Sequence, residues 1–276
     1  MSQIHNVLYC PFGERGNELA MRRIAALAAD DARTTILDVV TAGHPHVARL
    51  SLEALRRDPA MVGHQIEVVV QTGNRTDVIN EYALAGAYDL VVITPEDEPG
   101  AIKTARRLVR TCPVPLLILR PKTDHTDRVL VAVNPSKRSL ELNRKLLDWG
   151  STMAEDIGCD LDFVHTWEYW GEEDLRNSAF FQTDLERLDQ RIEIERSQHL
   201  VATEKWLADE GVVVDPHNLH VPKGRVAPTV AQVARSVGAS LVVAGSVGRR
   251  GIRRLIMGNS AEELVDVLPC SILVVK

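Results

Sequence analysis

Short, dense apolar runs alternate with longer amphipathic stretches along the whole chain. Runs at 6–10, 35–40, 66–70, 90–94 and 115–119 are followed by a second set at 128–133, 160–165, 218–221, 241–245 and 271–275. They are rich in β-branched residues and mostly apolar on both faces, which predicts strands buried on both sides in a parallel sheet. Between them, 17–31, 76–87, 138–158 and 228–239 carry apolar residues at helical spacing. Residues 259–268, with Asn259 or Ser260 as cap and Glu262 and Glu263 in the first turn, read as a further helix start. Strand and helix alternating in this way predict right-handed βαβ units.

The pattern is also repeated. "GNRTDVINEYALAGAYDLVV" (73–92) aligns without a gap on "GRVAPTVAQVARSVGASLVV" (224–243), and "RTCPVPLLIL" (110–119) answers "DVLPCSILVV" (266–275). Repetition of this length indicates a tandem duplication. The polar stretch at 120–127 reads as the seam. We therefore expect two domains, 1–122 and 128–276, each with five strands and about four helices. The second has an insertion: an aromatic loop with Trp167, Tyr169, Trp170, Phe180 and Phe181, then a long charged helix from about residue 183. The helix, mixed in charge sign, reads as a solvated cover. The loop reads first as a satellite core, with a binding-site lip or partner contact as alternatives.

Composition narrows the class. Apolar residues make up 45% and charged residues 25%, the mix of a soluble globular protein, and the net charge is −6. That charge argues against non-specific nucleic-acid binding, which depends on neutralising phosphates. No stretch approaches a membrane span and no signal peptide is visible, so a cytoplasmic protein is expected. Cys10, Cys112, Cys159 and Cys270 are far apart, without metal-finger spacing, and read as thiols of a reducing compartment.

Chemistry concentrates in "GSVGRRGIRRLIMGNS" (245–260), with the spacing Gly245-x2-Gly248-x9-Gly258-Asn259-Ser260. Gly245 ends a predicted strand, where ligands bind in open α/β sheets. Glycines there let backbone N–H groups approach an anion, and the start of the following helix is a phosphate site. Arg249, Arg250, Arg253 and Arg254 add positive charge. A glycine pair alone is common in turns, and arginines on a loop often only face water. It is the placement between strand and capped helix that gives the motif its weight. Neither a Walker loop nor the dinucleotide fingerprint is present.

This segment resembles the C-terminal signature of the universal stress protein family, G-x2-G-x9-G-(S/T/N), in the style of its tandem E-type members. The resemblance covers both halves as a fold and the binding signature in the second half only. It implies two five-stranded parallel sheets of order 3-2-1-4-5, packed as an intrachain pseudo-dimer in which 115–119 faces 271–275, with further dimerisation open to it. It also implies ATP binding, with or without Mg, through Gly245, Ser246, Gly248, Arg249, Gly258, Asn259 and Ser260, and an adenine wall at Val133 and Val164 beside His165. The family places an acidic residue after its first strand. Here that position is Asn134, which can hydrogen-bond but brings no carboxylate for a metal; the alternative is a turn residue before Pro135.

In the first half the loop is replaced by "TPEDEPGAIKTARRLVRT" (94–111). Thr94 and Asp97 stand for Gly245 and Gly248, Phe12 stands for Asn134, and Glu96, Asp97 and Glu98 oppose phosphate, so this half is expected to have lost the nucleotide. Catalytic residues are not expected. No GxSxG surrounds Ser246, and Asp160 and Asp162 read as strand-edge residues rather than a catalytic pair. His217 and His220, on a presumed strand, point to opposite faces and make poor co-ligands, so no metal site is expected. Two functions from different classes follow: an ATP-binding stress-response regulator with little or no turnover and an unidentified protein partner, or a slow ATPase. An apolar-ligand binding protein on the same fold is a weaker third.

Overall fold

The computed structural model describes residues 4–40, 45–96, 99–120, 128–136, 139–177, 185–246 and 260–276. In chain order the elements are β1 (Ile4–Pro11), α1 (Asn17–Leu27), β2 (Ala28–Val40), α2 (Pro45–Leu55), β3 (Gln65–Thr72), α3 (Arg75–Ala85), β4 (Leu90–Thr94), α4 (Pro99–Thr111) and β5 (Leu116–Ile118). They continue with β6 (Arg128–Ala132), α5 (Leu140–Ile157), β7 (Asp160–Val164), α6 (Glu172–Asn177), α7 (Leu185–Asp209), β8 (Leu219–His220), α8 (Val226–Val237), β9 (Leu241–Gly245), α9 (Ser260–Val267) and β10 (Ser271–Val275). Each predicted strand run coincides with an observed strand. The helix expected over 17–31 stops at Leu27, because Ala28 already pairs with Ile4 of β1 and draws the following residues into β2.

The expectation of two separate five-stranded parallel sheets is corrected. There is one ten-stranded mixed sheet, in the order β3-β2-β1-β4-β5-β10-β9-β6-β7-β8. Within each run of five the order is 3-2-1-4-5 and the pairing is parallel; the runs join through an antiparallel β5–β10 pair. Leu117 lies opposite Leu273, flanked by Leu116–Val274 and Ile118–Ile272. In the repeat alignment Leu117 and Leu273 are equivalent, so this pair lies on the pseudo-two-fold axis. Each strand satisfies the other's backbone groups and removes an open edge.

Helices cover both faces. Side chains of α1 and α5, with Trp206 and Leu207 of α7, pack in one apolar layer, and those of α3, α4, α8 and α9 in the other. The sheet is thus buried on both sides, which is why its strands read as continuous apolar runs. Across the halves, Arg23 of α1 pairs with the buried Asp156 of α5. On the opposite face Arg106 lies 3.5 Å from Asp266 and Arg110 lies 3.9 Å from Glu262, joining α4 to α9.

Two further features recur at aligned positions of the two halves. Arg120, just past β5, donates to the carbonyls of Val265 and Leu268 at the end of α9. Its equivalent Lys276, just past β10, donates to the carbonyl of Val109 in the last turn of α4. Each half thereby supplies a cation to the unsatisfied C-terminal carbonyls of the other half's last helix. The glycines that open the aligned segments, Gly73 and Gly224, have φ of 149° and 147°. L-residues rarely adopt that region, so glycine is required at both by the same turn.

Candidate functional site

β6 has β7 on one side and β9 on the other, so the winding reverses between β6 and β9. Ligands in open α/β sheets bind outside the carboxyl ends of strands at such a point. Asn134 follows β6, His165 follows β7, Gly245 ends β9 with Ser246 next, and Ser260 opens α9. Gly248, Arg249, Gly258 and Asn259 lie outside the described residues, as do Arg250, Arg253 and Arg254. Asp97, Glu98, Phe180, Phe181 and the seam after Arg120 also lie outside them.

The described residues are held by specific packing. At Gly245 a Cβ would stand 2.6 Å from Leu142 Cδ2, so glycine here also serves the close approach of α5. Ser246 donates its backbone N–H to Val275 (2.8 Å); its hydroxyl donates to Val109 of α4 (3.4 Å) and accepts from Lys276 (3.3 Å). Ser246 is therefore held to β10 of its own half and reaches the opposite half through Val109. Glu262 and Glu263 in the first turn of α9 pair with Arg110 and Arg225.

Asn134 is exposed and behaves as a turn residue: its Oδ1 accepts from the Ser136 N–H at 3.1 Å, which leaves Nδ2 as its donor. Its backbone is bracketed by the buried Asn143 of α5, whose amide accepts from Asn134 N–H (3.2 Å) and donates to Asn134 C=O. Val133 and Val164 are buried, and Val133 N–H donates to the Val164 carbonyl (2.9 Å). His165 Nδ1 lies 3.2 Å from the Val133 carbonyl, and its Nε2 lies 2.9 Å from Nδ1 of His199 on α7. A carbonyl only accepts, so Nδ1 of His165 carries the proton and Nε2 accepts from His199. Trp167 stacks on His199 at 5.0 Å between centroids. Burial lowers the His165 pKa to about 4, outweighing the hydrogen bond to Val133.

Sequence reasoning did not single out Asn143 or His199. Asn143, a lone amide in the apolar stripe of α5, was a usable signal; His199 reads as an ordinary residue of a polar helix. The aromatic loop divides: Trp167 is buried, as a satellite core requires, whereas Trp170 is 96% exposed. Asp162 is not a strand-edge residue. It is fully buried and accepts from Arg128 (2.7 Å) and His220 (3.1 Å). His217 lies in a 3₁₀ turn rather than on a strand. Among the described residues no three His, Cys, Asp or Glu side chains cluster as a metal site requires. Cys10, Cys112 and Cys270 are buried, and no disulfide joins the four cysteines.

The first half is built differently at this point. Leu8 pairs with Val91 as Leu130 pairs with Val242, which places Phe12 at the position of Asn134 and Thr94 at that of Gly245. Thr94 is buried against the Tyr9 hydroxyl (3.1 Å). Glu96 lies on Gly13, where a Cβ would clash with its carboxylate. A carboxylate thus occupies the end of β1.

Comparison with known proteins agrees with this architecture. The chain spans 92% of its length in an alignment with a Universal stress protein E homolog of Haemophilus influenzae, at 28% identity over 262 residues and 82% of that protein. Universal stress protein E of Salmonella typhi is 30% identical over 230 residues, 78% of this chain and 69% of that protein. A functionally unknown protein from Pseudomonas aeruginosa PAO1 has a similar fold, with a TM-score of 0.74 and 18% identity, covering 99% of this chain and 92% of that one. A universal stress protein from Archaeoglobus fulgidus gives 0.62 at 16%, covering 98% and 96%. The family model described as the universal stress protein family matches residues 125–276, more than half of the chain and the whole of the switch-point site. The chain is a member of the universal stress protein family.

Proposed function

We propose that this chain is an ATP-binding regulatory protein of the stress response, holding one nucleotide at the β6–β9 switch point with little or no turnover. The observation that carries this reading is the placement of the G-x2-G-x9-G-N-S segment. It leaves the sheet at Gly245, beside β6, which Asn134 follows, and enters α9 at Ser260. Free N–H groups at a helix start and glycines after a strand suit phosphates. Asn134 Nδ2 and the Ser260 hydroxyl are donors of the kind that ribose and phosphate oxygens accept from. No described carboxylate is placed to act as a general base: Glu262 and Glu263 are engaged by arginines, and His165 is committed to Val133 and His199.

On this reading residues 128–276 form the nucleotide-binding domain and residues 1–122 its degenerate partner in a cytoplasmic pseudo-dimer. Ser246, bound to Val109 and Lys276, would report the loop's state to the first half and to an unidentified protein partner. Calorimetric titration with ATP, with and without Mg, is the test. One site per chain is expected, lost in Gly248→Val. Two nucleotides per chain would overturn the degenerate role of the first half, and no heat at millimolar ATP would overturn the reading itself. Multiple turnover of bound ATP in the same sample would favour the slow ATPase.

A further inference from the structure

The first half has a cavity of its own. It measures about 540 Å³ and opens between the carboxyl end of β2, the start of α3 and one face of α4. Arg75, Lys103 and Arg107 line it, with Asn74 and Thr104. We propose that this cavity binds a small polyphosphate that carries no nucleoside, at a site separate from the glycine loop and independent of the ATP reading.

The donors converge from two helices. Lys103 and Arg107 are four residues apart and share one face of α4. Arg75 is held from behind: its Nη2 donates to the Val39 carbonyl (3.2 Å), and its guanidinium lies 4.6 Å over the Phe12 ring. Nη2 also donates to Asp38 Oδ1 (3.5 Å), which fixes the planar head and leaves the Nε and Nη1 N–H groups without an acceptor among the described residues, groups with which arginine grips a phosphate. Asn74 Oδ1 caps α3 by accepting from Thr76 and Asp77 N–H, so its Nδ2 is a further open donor. Two carboxylates are near: Asp38 is 3.5 Å from Arg75 and Asp77 is 3.9 Å from Arg107. The Arg107–Asp77 pair is at the long limit of an ion pair, and Lys103 has no carboxylate within 4.0 Å among the described residues. An incoming phosphate competes with Asp77 on favourable terms.

The duplication supplies an internal control. The residues of the second half equivalent to Arg75, Lys103 and Arg107 are Val226, Asn259 and Glu263. None is a cation, so these charges are not a requirement of the shared scaffold. Glu96, which lies on Gly13 at the end of β1, is not among the lining residues. The cavity therefore lies beside the position it blocks.

The experiment uses the full chain carrying Gly248→Val, which removes the glycine loop from consideration. Inorganic pyrophosphate is titrated into it by calorimetry at low salt. One site is expected, weakened roughly tenfold or more by Lys103→Ala with Arg107→Ala, as loss of charged hydrogen bonds implies. Lys103 and Arg107 are exposed, and equal melting temperatures establish that the variants are folded. Arg107→Lys alone, which keeps the charge, retains most of the binding. Absence of pyrophosphate binding in the Gly248→Val chain overturns the proposal. So does undiminished binding in the triple variant, or sulfate binding as tightly as pyrophosphate, which would mark an adventitious ion only.

Discussion

His165 is the residue whose surroundings depart furthest from what its neighbours in sequence suggest. It follows an apolar strand, yet it is tied by both ring nitrogens and kept neutral by burial. Its pKa falls from the usual 6.5 to about 4, so between those pH values the unfolded chain takes up a proton that the native chain refuses. The stabilisation is fully present above pH 6.5 and is lost as pH falls towards 4, by on the order of 3 kcal/mol. Urea unfolding at pH 7, 5.5 and 4.5 is expected to show this loss, and His165→Gln to flatten it; an unchanged acid slope in the variant would assign the effect elsewhere. At this scale the sequence was legible where backbone geometry dictates the residue, as at Gly73 and Gly224. It was illegible where partners come from distant elements. Nothing in "RSQHLVATEKW" announces that His199 meets His165, because that contact depends on how α7 folds back over the sheet.

The α4–α9 pair shows how elements recognise each other. Arg106 and Glu262 are equivalent positions of the duplication, as are Arg110 and Asp266. The observed contacts are Arg106–Asp266 and Arg110–Glu262, as a two-fold axis requires. Two copies of α4 placed around that axis would oppose arginines, and two copies of α9 would oppose carboxylates. The charges thus favour pairing of unlike halves, a specificity that needs repulsion in the wrong combinations. Arg106→Glu with Arg110→Glu is expected to cost about 1–2 kcal/mol, since each exposed pair contributes under about 1 kcal/mol and is replaced by repulsion. Adding Asp266→Arg and Glu262→Arg should restore the denaturation midpoint, and high salt should shrink the loss. A quadruple variant no better than the double would mean that packing, not charge, sets the pairing. Each strand was legible from its apolar run. The union of β5 and β10 was expected only from the family resemblance, as 115–119 facing 271–275, because backbone pairing between sheet edges leaves no periodic mark in either strand.

Over the whole molecule, both apolar layers contain residues from each half, and one sheet runs between them. Unfolding is expected to be a single event. The composition offers a direct check, since Trp149, Trp167, Trp170 and Trp206 all belong to the second half. Tryptophan fluorescence then follows that half alone, whereas far-UV circular dichroism follows the entire chain. The two denaturation curves are expected to coincide, and a fluorescence transition displaced from the dichroism curve would mean that the halves unfold separately. The β5–β10 pair has one more consequence. Two separate open sheets would expose four edges to strand addition, and their union exposes two. One is β8, only two residues long; the other is β3, which carries Gln65, Glu67, Gln71 and Thr72, with Glu67 paired to Arg33. Short or charged edges resist pairing with another chain. The join that completes the fold therefore also removes two of the four edges at which another chain could add a strand.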